Sequence, residues 1–338
     1  MSAFRRRIGI VGWLAAATMS LSCRENPVPF QLFDGTQISA EQLSLGREVY
    51  LRNCYACHGE QGAGDGPSAA TMRPPPRNLQ HGLFKFAGVA AGSLPTDAAL
   101  DRTLRRGLDG TPMLAWDLAA SERQAVIQYL KTFKLPGSAK SRWQEESPGA
   151  AIEPSPDPWG GRAAEAVAAG AAIYHVQGSG HAGCASCHAG YLPYAEVNAL
   201  TLRATGQPVP GFRPDYYRTS LRETQYAVRL DPAGELLQGH QILVPDFWIQ
   251  PVKTAPSPTP DYTASMQRES LYRTIAGGIG GAAMPTWKGA LSEDRLWALV
   301  YYVQRLSLQR GTTEAAVLRR ELDAQPVWSP EKGDKDER

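Results

Sequence analysis

Two pentapeptides constrain this chain more than anything else in it: Cys54-Tyr55-Ala56-Cys57-His58 and Cys184-Ala185-Ser186-Cys187-His188. Each sets two thiols about one helical turn apart, with a histidine directly after the second. They use four of the five cysteines; the fifth, Cys23, stands near the N-terminus. A four-cysteine zinc site fits poorly, because its cysteine pairs usually lie about 15–20 residues apart. Here 126 residues lie between Cys57 and Cys184. Disulfides or a thioredoxin-like pair account for the thiols but leave the repeated histidine without a task.

Covalent haem attachment uses all three residues of each motif. Two thiols one turn apart can add to the two vinyl groups of one porphyrin, and the adjacent imidazole is then held where it can ligate the iron. The expected cofactors are two covalently bound haem c groups, held by Cys54, Cys57, Cys184 and Cys187, with His58 and His188 as iron ligands.

An internal repeat supplies candidates for the other axial ligand. Shifted by 171 positions, Leu100-Asp101-Arg102-Thr103-Leu104 falls on Leu271-Tyr272-Arg273-Thr274-Ile275. With the same shift Gly107 meets Gly278, Gly110 meets Gly281, Met113 meets Met284, Trp116 meets Trp287, and Ser121-Glu122 meets Ser292-Glu293. A repeat of this length is a duplicated domain rather than a solenoid. A thioether is a soft, uncharged donor, and a glycine-rich loop can carry it to the face opposite the histidine; His/Met ligation raises the iron's potential. Met113 and Met284 are the expected ligands, with Met72 and His81 as alternatives in the first copy.

These features resemble class I cytochromes c over about residues 38–134 and 161–310. The resemblance implies a mainly α fold of two tandem cytochrome c domains, each with helices wrapped around one haem. Met284-Pro285 follows the family's usual Met-Pro pair, while the first copy departs from it with Pro112-Met113-Leu114. Gly46 and Tyr50 precede the first motif as Gly170 and Tyr174 precede the second. In the family this glycine lets the first helix cross the last. The last helices are expected over about Ser121–Phe133 and Ser292–Leu306, each opened by Ser-Glu. Their apolar residues recur at helical spacing, as in Val126, Ile127, Leu130 and Leu296, Leu299, Val300, Val303. Gly59, Gly62, Gly64 and Gly66 let the backbone turn tightly around the ring edge. Arg77 is a candidate holder of a haem propionate, with a solvated surface arginine as the alternative.

Residues 1–22 read as a signal peptide: Arg5–Arg7, then an apolar run from Ile8 to Met19, then Ser20 and Ser22. Removing them turns a formal charge of +2 into −1, from 35 − 3 = 32 basic against 33 acidic residues. Nothing in that balance suggests a nucleic-acid partner. Ser20-Leu21-Ser22-Cys23 resembles a bacterial lipobox, which implies lipidation of Cys23 and a tether over 23–37. Ser20 stands where that family usually has leucine, and ordinary cleavage beside Cys23 is the alternative. Residues 135–160 hold five prolines and no apolar period, and are expected to be a semi-rigid linker.

The stretch from histidine to methionine runs 55 residues in the first copy (58 to 113) and 96 in the second (188 to 284). Aligning Pro76-Arg77-Asn78-Leu79 with Pro245-Asp246-Phe247-Trp248 puts most of the excess in an insertion over about 191–244. Its tyrosines and arginines suit either a partner surface or a cover over haem and core. Residues 311–338 read as one short helix and a charged tail.

The function expected from this is single-electron transfer between protein redox partners. The setting would be the periplasmic side of a bacterial membrane, as a lipid-anchored carrier or a subunit of a respiratory complex, with no independent catalysis. The enzyme alternative is a dihaem cytochrome c peroxidase-like protein, which needs an iron with an open sixth position.

Overall fold

The computed structural model describes residues 28–178, 180–209, 222–225 and 241–325. The expected signal peptide, Cys23, parts of the expected insertion (210–221 and 226–240) and residues 326–338 lie outside the described residues.

The fold is mainly helical. The first half carries α1 (Ala40–Asn53), α2 (Tyr55–His58), α3 (Asp97–Arg106) and α4 (Ala120–Leu130); the second carries α5 (Ala163–His175), α6 (Tyr194–Thr205), α7 (Ala264–Gly277), α8 (Glu293–Leu308) and α9 (Thr313–Ala324). Strands among the described residues are three short antiparallel pairs: Phe30–Gln31 with Gln37–Ile38, Gln177–Gly178 with His181–Ala182, and Arg222–Gln225 with Gln241–Val244. Helix starts follow side-chain chemistry. Ser39, Thr96, Thr263 and Thr312 each accept the N–H of the residue three positions on, a cap that contributes about 1 kcal/mol. The start expected at Ser121 is displaced. Helix α4 begins at Ala120, where the Glu122 carboxylate accepts the Ala119 N–H and caps the turn from inside.

Each half has its own apolar cluster. Val49, Tyr50, Leu100, Leu104, Val126 and Ile127 belong to the first, and Tyr174, Leu271, Tyr272, Leu296, Leu299 and Val300 to the second. Two helix crossings hold these clusters, α1 on α4 and α5 on α8. A Cβ at Gly46 would lie 2.2 Å from the Ala125 carbonyl oxygen, and one at Gly170 would lie 2.1 Å from that of Ala298. No side chain fits in either gap, so glycine is what allows the helices to touch backbone to backbone.

Two segments expected to be a tether and a semi-rigid linker are packed against the halves. Residues 30–38 form a hairpin, and Phe33 N–H donates to the carbonyl of Trp143, whose ring is fully buried. The proline-rich segment 135–160 is a strap pinned to both halves. Gly149 and Ile152 donate to the carbonyls of Leu94 and Gly88. Further on, Ser155 binds Glu293 and Trp297, and Asp157 accepts from Tyr301. Proline removes backbone donors, so side chains and the few free N–H groups make the attachments.

Candidate functional site

The first pentapeptide forms a helical turn directly after α1, whereas in the second the strand pair Gln177–Gly178 and His181–Ala182 separates α5 from the 3-10 turn Cys184–Ser186. A tyrosine near the end of the preceding long helix, Tyr50 four residues and Tyr174 ten residues before the first motif cysteine, ties each motif in place. Tyr50 Oη donates to the Gly59 carbonyl at 2.7 Å, and Tyr174 Oη donates to the Ala189 carbonyl at 3.0 Å. In both halves the acceptor is the residue after the motif histidine.

The histidines are oriented by backbone carbonyls. His58 Nδ1 lies 3.0 Å from the Arg77 oxygen, and His188 Nδ1 lies 3.2 Å from the Pro245 oxygen. A carbonyl only accepts, so Nδ1 must carry the proton and Nε2 keeps its lone pair for a metal. Such a bond to the far nitrogen is the usual support for a ligating imidazole. Burial pushes the His58 pKa down, which favours the same neutral ring. Burial pushes the Cys54 and Cys184 thiols up to about 12, so neither thiol readily ionises.

The carbonyl partners correct the alignment around Pro76 and Pro245 by one residue. Arg77 corresponds to Pro245, and Asn78 corresponds to Asp246. Asn78 Oδ1 accepts the Gln80 N–H at 2.9 Å, and Asp246 Oδ1 accepts the Trp248 N–H at 3.0 Å. The shared determinant is this side-chain turn rather than the proline.

The methionine loops also correspond. Helices α3 and α7 stop at Gly107 (φ 66°) and Gly278 (φ 72°), a left-handed region that suits glycine at a helix end. Leu108 N–H then donates to the Met113 carbonyl at 2.8 Å, and Ile279 N–H donates to that of Met284 at 3.1 Å. The half-buried side chains of Cys54, Met113 and Trp116 pack on the first cluster, and those of Cys184, Met284 and Trp287 pack on the second. Met72 is not part of the first cluster.

Each loop bonds across to the other half. Asp109 N–H donates to the Lys253 carbonyl at 2.9 Å, and Gly280 N–H donates to the Lys85 carbonyl at 3.3 Å. Lys85 is pushed down to about 8, first by burial and then by the charges of Arg77 and Lys253. No hydrogen bond or ion pair engages the Arg77, Lys85 or Lys253 side chains among the described residues. Trp248 Nε1 is buried without an acceptor. Orphaned donors of this kind fit the carboxylates of a porphyrin, and the thiols and the Nε2 atoms of His58 and His188 fit its vinyl groups and iron.

Residues 43–134 match the cytochrome c family. They are a cytochrome c domain. Such a domain binds haem c covalently and works by electron transfer. The chain is similar over most of its length to a chain of the Kuenenia stuttgartiensis reducing HAO-like protein complex. The likeness has a TM-score of 0.51 and 25% identity, and it covers 78% of this chain and 95% of that one. No curated protein matches the chain.

Sequence reasoning missed Tyr191, Asp246 and Arg319. Tyr191 Oη donates to Asp246 Oδ1 at 3.2 Å and accepts the Phe247 N–H at 2.7 Å, while Arg319 Nη1 reaches Asp246 Oδ2 at 2.9 Å. This set, closed around the buried Asp246, lies beside Pro245 and so braces the carbonyl that orients His188. Its sequence signal was the Asn or Asp at the turn position, hidden by the prolines next to it.

Proposed function

We propose that the chain is a dihaem c-type cytochrome of two tandem domains, 38–134 and 161–310, joined by the 135–160 segment. One haem is attached through Cys54 and Cys57 with His58 and Met113 as axial ligands. The other is attached through Cys184 and Cys187 with His188 and Met284. The observation that carries this reading is the repetition, in the half beyond the cytochrome c domain, of the same hydrogen bonds around motif, histidine and methionine loop.

Haem iron supplies a one-electron couple; the polypeptide sets its potential through ligands, burial and hydrogen bonds. Arg77 O and Pro245 O hold the imidazole tautomer, the two clusters exclude water from the ligand faces, and Arg77, Lys85 and Lys253 offset propionate charge. Two donor sets facing one junction suit a relay that takes an electron at one end and passes it at the other. Similarity to a chain of a multi-protein redox complex supports protein donors and acceptors and a place as a complex subunit. The signal-like residues 1–22 and a lipidated Cys23 would put the protein on the periplasmic face of a membrane. Mass spectrometry of the mature N-terminus tests this: a diacylated Cys23 is expected, and an unmodified soluble form refutes the anchor.

Near-infrared spectroscopy of the oxidised protein tests the ligands. Each Met–Fe(III) pair gives a weak charge-transfer band, so Met113→His and Met284→His should each remove about half of the intensity, on equal contributions from two low-spin His/Met irons. High-spin iron at rest with peroxide turnover refutes the relay and favours the peroxidase-like enzyme.

A further inference from the structure

Helices α3 and α7 pass each other at the junction, and between them lies a cavity of about 50 Å³. That is room for several waters or one small polyatomic ion. Its walls carry Arg102 and Arg106 from α3, and Ser270, Arg273 and Thr274 from α7.

The charge around this cavity is not balanced. Arg102 has no hydrogen-bond or ion-pair partner among the described residues, and its pKa is lowered by burial and then by the neighbouring Arg273. Arg273 Nε is buried without a partner. The outer nitrogens of Arg273 meet Glu153 at 3.2 Å and Glu269 at 3.6 Å, both carboxylates standing well out in solvent. Arg106 lies over the Tyr262 ring and reaches Ser270 Oγ at 3.5 Å. Three guanidiniums converge here, two from one half and one from the other; Arg102 and Arg273 are partly withdrawn from water, and only the solvent-facing Glu153 and Glu269 offset them.

We infer that this cavity binds a free inorganic oxyanion of the phosphate class, bridging the two halves. Guanidinium forks match the spacing of paired oxyanion oxygens, and bonds between charged partners are the strong ones. The ligand would satisfy Arg273 Nε and the idle Arg102 together. The Arg77, Lys85 and Lys253 group is a different set, because none of the three lines the cavity. The inference does not depend on the number of haems.

The test is calorimetric titration of the full holoprotein with inorganic phosphate, in chloride buffer at constant ionic strength. One phosphate per chain is expected, together with a phosphate-dependent rise in the thermal midpoint. Arg102→Gln should weaken binding about tenfold or more, as loss of a charge-assisted hydrogen bond does. Arg105→Gln removes the same charge one turn face away, where Arg105 pairs with Asp101, and should leave binding intact. If Arg102→Gln fails to fold, Arg106→Gln at an exposed position replaces it, with the same loss expected. No saturable binding overturns the inference, and so does an equal loss in Arg102→Gln and Arg105→Gln. Refusal of phosphate by the native protein, with Arg102→Gln instead shifting a haem potential, overturns it in favour of a haem carboxylate in the cavity.

Discussion

The two halves orient their motif histidines with the same device and secure it differently. In both, a backbone carbonyl accepts from Nδ1, and the next side chain closes a turn onto the backbone two residues on. In the first half that side chain is the neutral Asn78, and the turn is self-sufficient. In the second it is Asp246, 2% exposed. A buried carboxylate needs more than a turn, so Tyr191 and Arg319 of α9 are drawn onto it. One charge thus makes the second site depend on a C-terminal helix for which the first half has no counterpart.

Breaking that dependence should have the largest effect. Arg319→Met leaves a buried carboxylate without its cation, and such breaks cost roughly 3–5 kcal/mol. Denaturant unfolding should show the second half melting first, with the loss at the lower end because Arg319 is partly exposed. Adding Asp246→Asn should restore most of it, since Asn78 shows that the neutral side chain satisfies the turn. No recovery in the double variant means that α9 matters through packing rather than charge.

The crossings should respond alike. Gly46→Ala and Gly170→Ala each press a methyl onto a backbone carbonyl, and overpacking costs typically about 1–3 kcal/mol. Both variants should reach at least the top of that range, by comparable amounts in thermal unfolding. A tolerated change at one glycine alone would separate the halves.

The smallest expected difference lies in acid. Burial raises the Glu293 pKa, but hydrogen bonds from Lys288, Ser155 and Tyr272 outweigh it and hold the carboxyl at about 2. The folded value is below the unfolded one, so the stabilisation is present above about pH 4.5 and fades as pH falls toward 2. The counterpart Glu122 is also lowered, by the Ala119 N–H first and then by Arg52, but by two hydrogen-bond partners where Glu293 has three. Melting curves between pH 5 and 2 should therefore flatten more in Glu293→Gln than in Glu122→Gln.

Much of this was legible in the sequence. The paired motifs, the Gly46 and Gly170 positions and the repeat through Met113 and Met284 rest on local spacing, which a sequence displays directly. The cytochrome c match confirms a haem domain over 43–134. The strap was hidden because its anchors are scattered: Trp143 gives no apolar period, and Ser155 and Asp157 read as ordinary loop residues until α8 lies beside them. Arg319 was hidden for a related reason. Its partner is 73 positions away, and a charged residue on a short helix looks like solvated surface.

Haem stoichiometry tests the central claim most directly. Intact-mass measurement of the isolated holoprotein should give two haems per chain and no free thiol among Cys54, Cys57, Cys184 and Cys187. Replacing Cys54 and Cys57 with serine should remove one haem, and replacing Cys184 and Cys187 should remove the other. A single haem per chain, with Cys184 and Cys187 free to alkylate, would contradict the account: the second half would then share the first half's hydrogen bonds without its cofactor.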